Sequence, residues 1–376
     1  MNINDFKSGY STLNVTGRYL PYDLLTELMV QFSDLSVVEE GVSVKGQLIR
    51  SYAIGKGPIR ILMWSQMHGN ETTSTKALLD LILFLSNAKE SMMLQRLSIV
   101  FIPMLNPDGA DLYTRVNANG VDLNRDALDQ TQPESKILLK VFNRVLPDYC
   151  FNLHDQRPVF GAGKGGHPSA LSFLAPSGDA DKQWSPNRAM ARDVLGCVAK
   201  SLDFSISESI ARFDDAFNLN CFGDYFQSRG AVTMLFEAGH EGTDYSRERI
   251  RFFYAYGLYV ALEKICGAKH QSEDSKAYSE LPENVECYCD ILLKNVVTPS
   301  GQQLSVGLTY SEKLFDGQIV LTPIISHVNY SKVLFGHRVI DDAIFWNDTL
   351  PTPKVGTSIE YLEIKGRNIF HNLTIF

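Results

Sequence analysis

Through the first two thirds of the chain, short apolar runs alternate with longer stretches of mixed polarity. The runs 59–64, 97–104, 149–153 and 231–236 are almost wholly apolar and predict buried strands. The stretches 74–85, 134–145, 185–201 and 247–266 space their apolar residues at helical intervals and predict helices between them. Strands that are apolar on both faces and separated by helices predict an α/β fold. Its central sheet is expected to be mostly parallel or mixed, buried and flanked by helices.

The pattern changes after Cys266. A polar stretch, 267–276, predicts a linker, and beyond about Pro282 the apolar runs become short and β-branched, as in 291–293, 318–321 and 358–362. Turn residues separate them, as in Thr298-Pro299-Ser300-Gly301 and Pro351-Thr352-Pro353. The expected organisation is a catalytic α/β domain over 1–268, a linker over 269–281 and a small mainly β domain over 282–376. The last has no chemistry of its own and would frame the substrate cleft, drive dimerisation or stabilise the chain. With 376 residues, 44% of them hydrophobic and 21% charged, the composition is that of an ordinary globular protein with about two domains. A net charge of -8 argues against nucleic acid or an anionic membrane as partner and favours a small soluble substrate. Six scattered cysteines, an N-terminus without a basic-then-apolar signal and no long apolar run lead to the expectation of a reducing, cytoplasmic location. Oligomeric state is not legible.

Chemistry concentrates where predicted strands end. His68-Gly69-Asn70-Glu71 follows the first apolar run and sets an imidazole and a carboxylate three residues apart. A catalytic zinc site takes three such ligands and leaves a fourth position open. His154, at the end of the third run, repeats the context of His68 and supplies the third ligand if neighbouring parallel strands converge. The plainer alternatives are a loop histidine beside a helix-capping glutamate, with Asn70 or Thr72 opening the helix, and a structural histidine at a strand end.

Two further segments change the picture: Asn106-Pro107-Asp108-Gly109, and Gly120-Val121-Asp122-Leu123-Asn124-Arg125 preceded by Arg115. Together with the first pair, His154 and Glu237 in Leu235-Phe236-Glu237-Ala238-Gly239, they resemble, in order, the zinc metallocarboxypeptidase family (carboxypeptidase A-like) over about residues 50 to 265. The resemblance implies that His68, Glu71 and His154 hold one zinc ion, which acidifies a water and polarises the carbonyl under attack. Glu237 is then the general base and Arg115 the donor to the developing oxyanion. Asn124 and Arg125 grip the free carboxylate of the substrate, and Asp122 receives the other ring proton of His68. An ordinary strand-end carboxylate for Glu237, a surface arginine for Arg115 and a turn aspartate for Asp122 are the alternatives.

Two features depart from the family. Asp126-Ala127 follows the arginine where Asn-Phe is common, so Asp126 is expected to narrow the substrate range or to pair with Arg125. The closing tyrosine has only Tyr225 as a weak counterpart. The glycine-rich segment 161–166 lacks phosphate-loop spacing and is read as a mobile active-site loop. His167 completes no ligand spacing, and His240 is at most an outer neighbour of the site. Pocket residues are expected to include those of 216–225. Three functions compete: a carboxypeptidase-like hydrolase of a peptide or peptide-like substrate with a free carboxylate; a deacylase of N-acylated amino acids, resembling succinylglutamate desuccinylase and aspartoacylase; and a binding protein that has lost catalysis.

Overall fold

The computed structural model describes residues 1–87, 92–267, 272–329, 334–342, 344–346, 353–359, 361–364, 367–368 and 374–375. Its strands are β1 Ser36–Val42, β2 Leu48–Ile54, β3 Ile59–Trp64, β4 Leu97–Ile102, β5 Tyr149–Asp155, β6 Phe160–Ala162, β7 Leu171–Leu174, β8 Ile210–Arg212, β9 Val232–Ala238, β10 Asn284–Glu286, β11 Tyr288–Val297, β12 Gln303–Phe315, β13 Gln318–Val328 and β14 Phe335–Ile340, followed by shorter pieces. The helices are α1 Ile3–Gly9, α2 Tyr22–Met29, α3 Thr73–Asn87, α4 Met92–Arg96, α5 Pro107–Leu112, α6 Pro133–Val145, α7 Pro186–Ile206, α8 Phe222–Ser228, α9 Glu248–Gly267 and α10 Ser272–Ser279.

An eight-stranded sheet runs in the order β1-β2-β4-β3-β5-β9-β7-β8. Its centre, β4, β3, β5 and β9, is parallel, while β1, β2 and β7 join antiparallel, so the sheet is mixed. Side chains alternate across it, which sorts the apolar runs into two cores. Ile61, Met63, Phe151, Leu153, Met234 and Phe236 pack under α3, α7 and α9. Leu62, Trp64, Val100 and Cys150 face Leu138 and Phe142 of α6 and Phe222 and Phe226 of α8. Each such side chain, wholly withdrawn from water, contributes roughly 1.5–3 kcal/mol. The same alternation places His154 and Glu237 on the α6/α8 face and Asp155 on the α3/α9 face.

Part of the stretch read as a linker is the helix α10; residues 269–271 lie outside the described residues. It packs on α7 so closely that a Cβ at Gly196 would meet the Asp274 carbonyl oxygen at 1.8 Å. Buried Asp274 accepts hydrogen bonds from Lys264 Nζ (2.7 Å) and Lys200 Nζ (3.2 Å), and the buried Tyr278 hydroxyl accepts one from the Ala175 N–H at 3.0 Å. Asp274 and Tyr278, four residues apart, form the inward face, a spacing that the polar composition hides.

The C-terminal strands form a sheet in the order β14-β11-β12-β13, extended by Thr374–Ile375, around Ile291, Leu293, Val306, Leu308 and Ile325. The turn at Thr298-Pro299-Ser300-Gly301 joins β11 to β12, with Gly301 at φ +81°. Pro351, Thr352 and Glu360 lie outside the described residues. This sheet is braced against the α/β region. The Tyr245 hydroxyl donates to Asp290 at 2.8 Å, the rings of His240 and His337 are 4.5 Å apart, and β10 pairs with β6. The last contact corrects the reading of 161–166 as a mobile loop. Gly161 and Ala162 lie in the paired β6, a Cβ at Gly161 would meet Cys287 Sγ at 2.7 Å, and the Tyr288 hydroxyl donates to the Gly166 carbonyl.

Candidate active site

The loop carrying His68 is held by backbone geometry before any side chain acts. Asn106 caps α5, accepting from the Gly109 N–H at 2.9 Å, and donates through its own amide to the Met67 carbonyl at 3.2 Å. Gly69 passes Gly109 so closely that a Cβ would meet its carbonyl carbon at 2.0 Å. Gln66 is held at φ 47° and donates to the Gly69 carbonyl at 3.0 Å. Asp108 accepts from Ser43 Oγ (2.7 Å) and the Lys45 N–H (3.0 Å), so the whole Asn-Pro-Asp-Gly turn is a bracket under the loop.

Glu71 is no helix cap. Its carboxylate lies between the two imidazoles, Oε1 2.7 Å from His68 Nδ1 and Oε2 2.8 Å from His154 Nδ1, and the Asp155 N–H donates to Oε2 at 3.1 Å. Capping falls to Asp155 instead, whose oxygens accept from the Thr73 and Ser74 N–H groups at the start of α3 (2.8 and 2.9 Å). Burial disfavours the Glu71 charge, but the His68 and His154 rings outweigh it and hold the carboxyl well below its usual range. Burial also opposes the charge on His68; Glu71 overcomes it and raises the ring, whereas His154 is lowered by burial. Two imidazole nitrogens and a carboxylate, all buried and within 4.8 Å of one another, are a donor set that could hold one metal ion and that matches the ligand types of a catalytic zinc site.

Asp122 meets both the ring of His68 and the backbone of the turn that follows it. Oδ1 lies 3.0 Å from His68 Nε2 and also accepts from the Asn124 N–H at 2.9 Å, capping the short 3-10 turn Leu123–Arg125. Accepting the Nε2 proton leaves the Nδ1 lone pair of His68 facing Glu71. Arg115, 48% exposed, reaches from Asp122 Oδ2 (Nε, 3.0 Å) to Glu71 Oε1 (Nη1, 3.3 Å). Glu237 is the cross-strand partner of His154, is 8% exposed, and its Oε2 is buried without a hydrogen bond among the described residues. Burial, then the Glu71 and Asp155 charges, push its carboxyl well above the usual range.

Asn124 fixes the next side of the site by accepting from the Phe222 N–H at 3.0 Å. Arg125 is exposed and donates through Nη1 to the Asn124 carbonyl (2.7 Å) and Cys221 Sγ (3.2 Å). Asp126 does not pair with it. That carboxylate is buried and accepts from the Thr131 N–H and hydroxyl (2.8 and 2.6 Å) and from the Gln132 N–H (2.9 Å), fixing the turn before α6. Tyr225 is buried against Phe226 and does not line the cleft, although Ala216, Cys221, Gly223 and Asp224 do. His167 is half exposed beside Glu208, and His240 Nε2 meets the Gly242 carbonyl at 2.9 Å, away from the three ligands.

All eight candidate residues except Asp122 line one cavity of about 770 Å3. Sequence reasoning missed the residues that complete its wall: Arg18, Arg157, Arg247, Tyr310 and Glu312. Tyr310 and Glu312 come from β12, so the C-terminal sheet frames the cleft. Arg18 pairs with Glu312, which also accepts from the Tyr113 hydroxyl at 2.8 Å. Nothing local to these residues marks them; they meet only through long-range packing.

The family model described as "Zinc carboxypeptidase" matches residues 22–140. The chain is similar to "Probable carboxypeptidase 2" of Trichophyton verrucosum, 26% identical over 185 residues that cover 48% of this chain and 34% of that protein. It is also similar to "Carboxypeptidase SOL1" of Arabidopsis thaliana, 27% identical over 163 residues covering 34% of this chain and 31% of the relative. The chain thus spans about a third of the length of these relatives. Among solved structures, a metallo-carboxypeptidase from Burkholderia cenocepacia superposes with a TM-score of 0.52 at 16% identity, covering 65% of this chain and 69% of that one. The carboxypeptidase A of Helicoverpa armigera gives 0.53 at 18%, covering 67% and 75%, and these superpositions establish the fold. The matched segment, these relatives and the shared mixed-sheet fold support assignment of the chain to the zinc metallocarboxypeptidase family.

Proposed function

We propose that the protein is a zinc-dependent amide hydrolase that removes the terminal residue of a short peptide or peptide-like substrate bearing a free carboxylate. The observation that carries this is the convergence of His68, Glu71 and His154 beside a buried Glu237 whose Oε2 has no hydrogen bond among the described residues. In this reading His68 Nδ1, Glu71 and His154 Nδ1 hold one zinc ion. Zinc supplies a Lewis acid, which lowers the pKa of water and polarises a carbonyl.

The remaining work belongs to the chain. Glu237 takes a proton from the attacking water and returns it to the departing nitrogen, a role favoured by a carboxyl whose affinity for protons is raised by burial. Arg115, anchored by Asp122 and Glu71, offers its remaining N–H groups to the carbonyl oxygen as charge develops. Asn124 and Arg125 bind the terminal carboxylate, Arg125 through a planar fork suited to two parallel hydrogen bonds. A cytoplasmic setting belongs to this reading and rests on six unpaired cysteines.

The wall that β12 adds to the cleft favours short substrates, and with them a second reading, a deacylase of N-acylated amino acids. Incubating the zinc-loaded chain with short free peptides, their C-terminal amides and N-acetyl amino acids tests both. The proposal expects release of the terminal amino acid from free peptides only, abolished by a chelator and restored by zinc. Cleavage confined to the acetyl amino acids would transfer the site to the second reading, and cleavage of none would contradict both.

A further inference from the structure

Arg18 and Arg247 stand in the cavity wall and are used by neither the metal group nor the carboxylate-binding pair. Both are nearly withdrawn from solvent, at 5% and 3% exposure. Arg18 pairs through Nη2 with Glu312, and its Nε is buried with no acceptor among the described residues. Arg247 donates through Nη1 to the Ala238 carbonyl at 3.1 Å and forms a long ion pair with Asp155 at 4.0 Å, and its Nε is buried without a hydrogen bond among the described residues. A buried guanidinium with an idle donor is costly unless an acceptor arrives, so two in one cavity wall, close enough for each charge to disfavour the other, mark a place for one.

Apart from Glu237, the proposed base, the carboxylates nearby are already engaged. Glu312 is taken by Arg18 and Tyr113, and Asp155 by the first N–H groups of α3. Position supplies the second half of the argument. Asn124 and Arg125 are tied to α8, on the α6/α8 face of the sheet, whereas Arg247 sits just before α9 and the Arg18 carbonyl accepts from Thr72 Oγ1 at the start of α3, on the opposite face. The three candidate ligands line the same cavity, with His154 at the carboxyl end of β5. Tyr310 lines the same cavity, two residues along β12 from the Glu312 that pairs with Arg18.

Resting on the hydrolase reading above, we propose that Arg18 and Arg247 form a second anion subsite that receives a carboxylate on the acyl side of the scissile bond, so that the preferred substrate carries two carboxylates, one at each end of the cleft. The acyl-side carboxylate accepts from Arg247 and from the free edge of Arg18, with Tyr310 as a neutral donor beside them.

The test is equilibrium binding of acetyl-Glu-Ala and acetyl-Gln-Ala to the full zinc-loaded chain carrying Glu237→Gln, measured by calorimetry. The glutamate peptide should bind at least about tenfold more tightly, the worth of one charge-assisted hydrogen bond. Adding Arg247→Gln or Arg18→Gln should remove that preference while the glutamine peptide keeps its affinity. Equal affinity in the parent, including no binding of either peptide, would overturn the subsite without any change at the arginines. So would a preference that survives both substitutions. Hydrolysis is scored separately with Glu237 intact. A binding preference with neither peptide cleaved contradicts the hydrolase reading alone, and cleavage of both without preference contradicts the subsite alone.

Discussion

His154 and Glu237 face each other across paired parallel strands, β5 and β9, and their meeting follows from register. Tyr310 and Glu312 reach the same cavity from β12, a strand of a separate sheet, and their meeting depends on how two layers dock. The first pair stands where open α/β sheets gather ligands, at the carboxyl ends of strands, and needs only the hydrogen-bond ladder to be placed. The second is held by long-range contacts, the Arg18–Glu312 ion pair and the Tyr245–Asp290 hydrogen bond above all. Chemistry built on register tolerates change elsewhere, whereas a wall built on docking depends on the buried contacts that hold the two layers together.

That contrast can be broken by substitution. His154→Ala should have the largest effect, because it removes a proposed ligand outright. Zinc stoichiometry should fall toward zero and turnover should drop by more than the roughly 100-fold that loss of an outer partner costs, with little change in thermal stability of the metal-free chain. Glu312→Gln should do the reverse. It leaves Arg18 buried without its counter-charge and should lower stability to denaturant by about 3 kcal/mol while zinc binding is retained. The same pair sets a pH dependence. Burial opposes the Glu312 charge, but Arg18 outweighs it and holds the carboxyl below its usual 4.5. Its contribution to stability is therefore complete above about pH 4.5 and fades as pH falls through the depressed value; the Gln variant should lack that acid limb. Arg125→Ala should have a smaller, substrate-dependent effect, raising KM for a free peptide by about tenfold to a hundredfold and leaving any residual cleavage of the C-terminal amide unchanged.

Register also explains what could be read in advance. β3, β5 and β9 are apolar runs, and the candidate residues His154 and Glu237 lie near the ends of β5 and β9 while His68 lies in the loop after β3. The antiparallel β1 and β2 were not seen, since β1 is half exposed and its polar glutamates break the apolar pattern. Asp126 was assigned beside Arg125 by adjacency, but successive residues of a tight turn point apart, and its carboxylate is consumed by Thr131 and Gln132. Asp155 gave no sign that it caps α3 from another strand. Arg18, Arg247, Tyr310 and Glu312 were invisible because no spacing relates them.

The central claim is that Glu237 moves the proton while His68, Glu71 and His154 hold the metal. Its most direct test is Glu237→Gln, with bound zinc and peptide turnover measured on the same preparation. The account predicts one zinc ion per chain and turnover reduced by about 10^2 to 10^4-fold. Full zinc with undiminished turnover would contradict it.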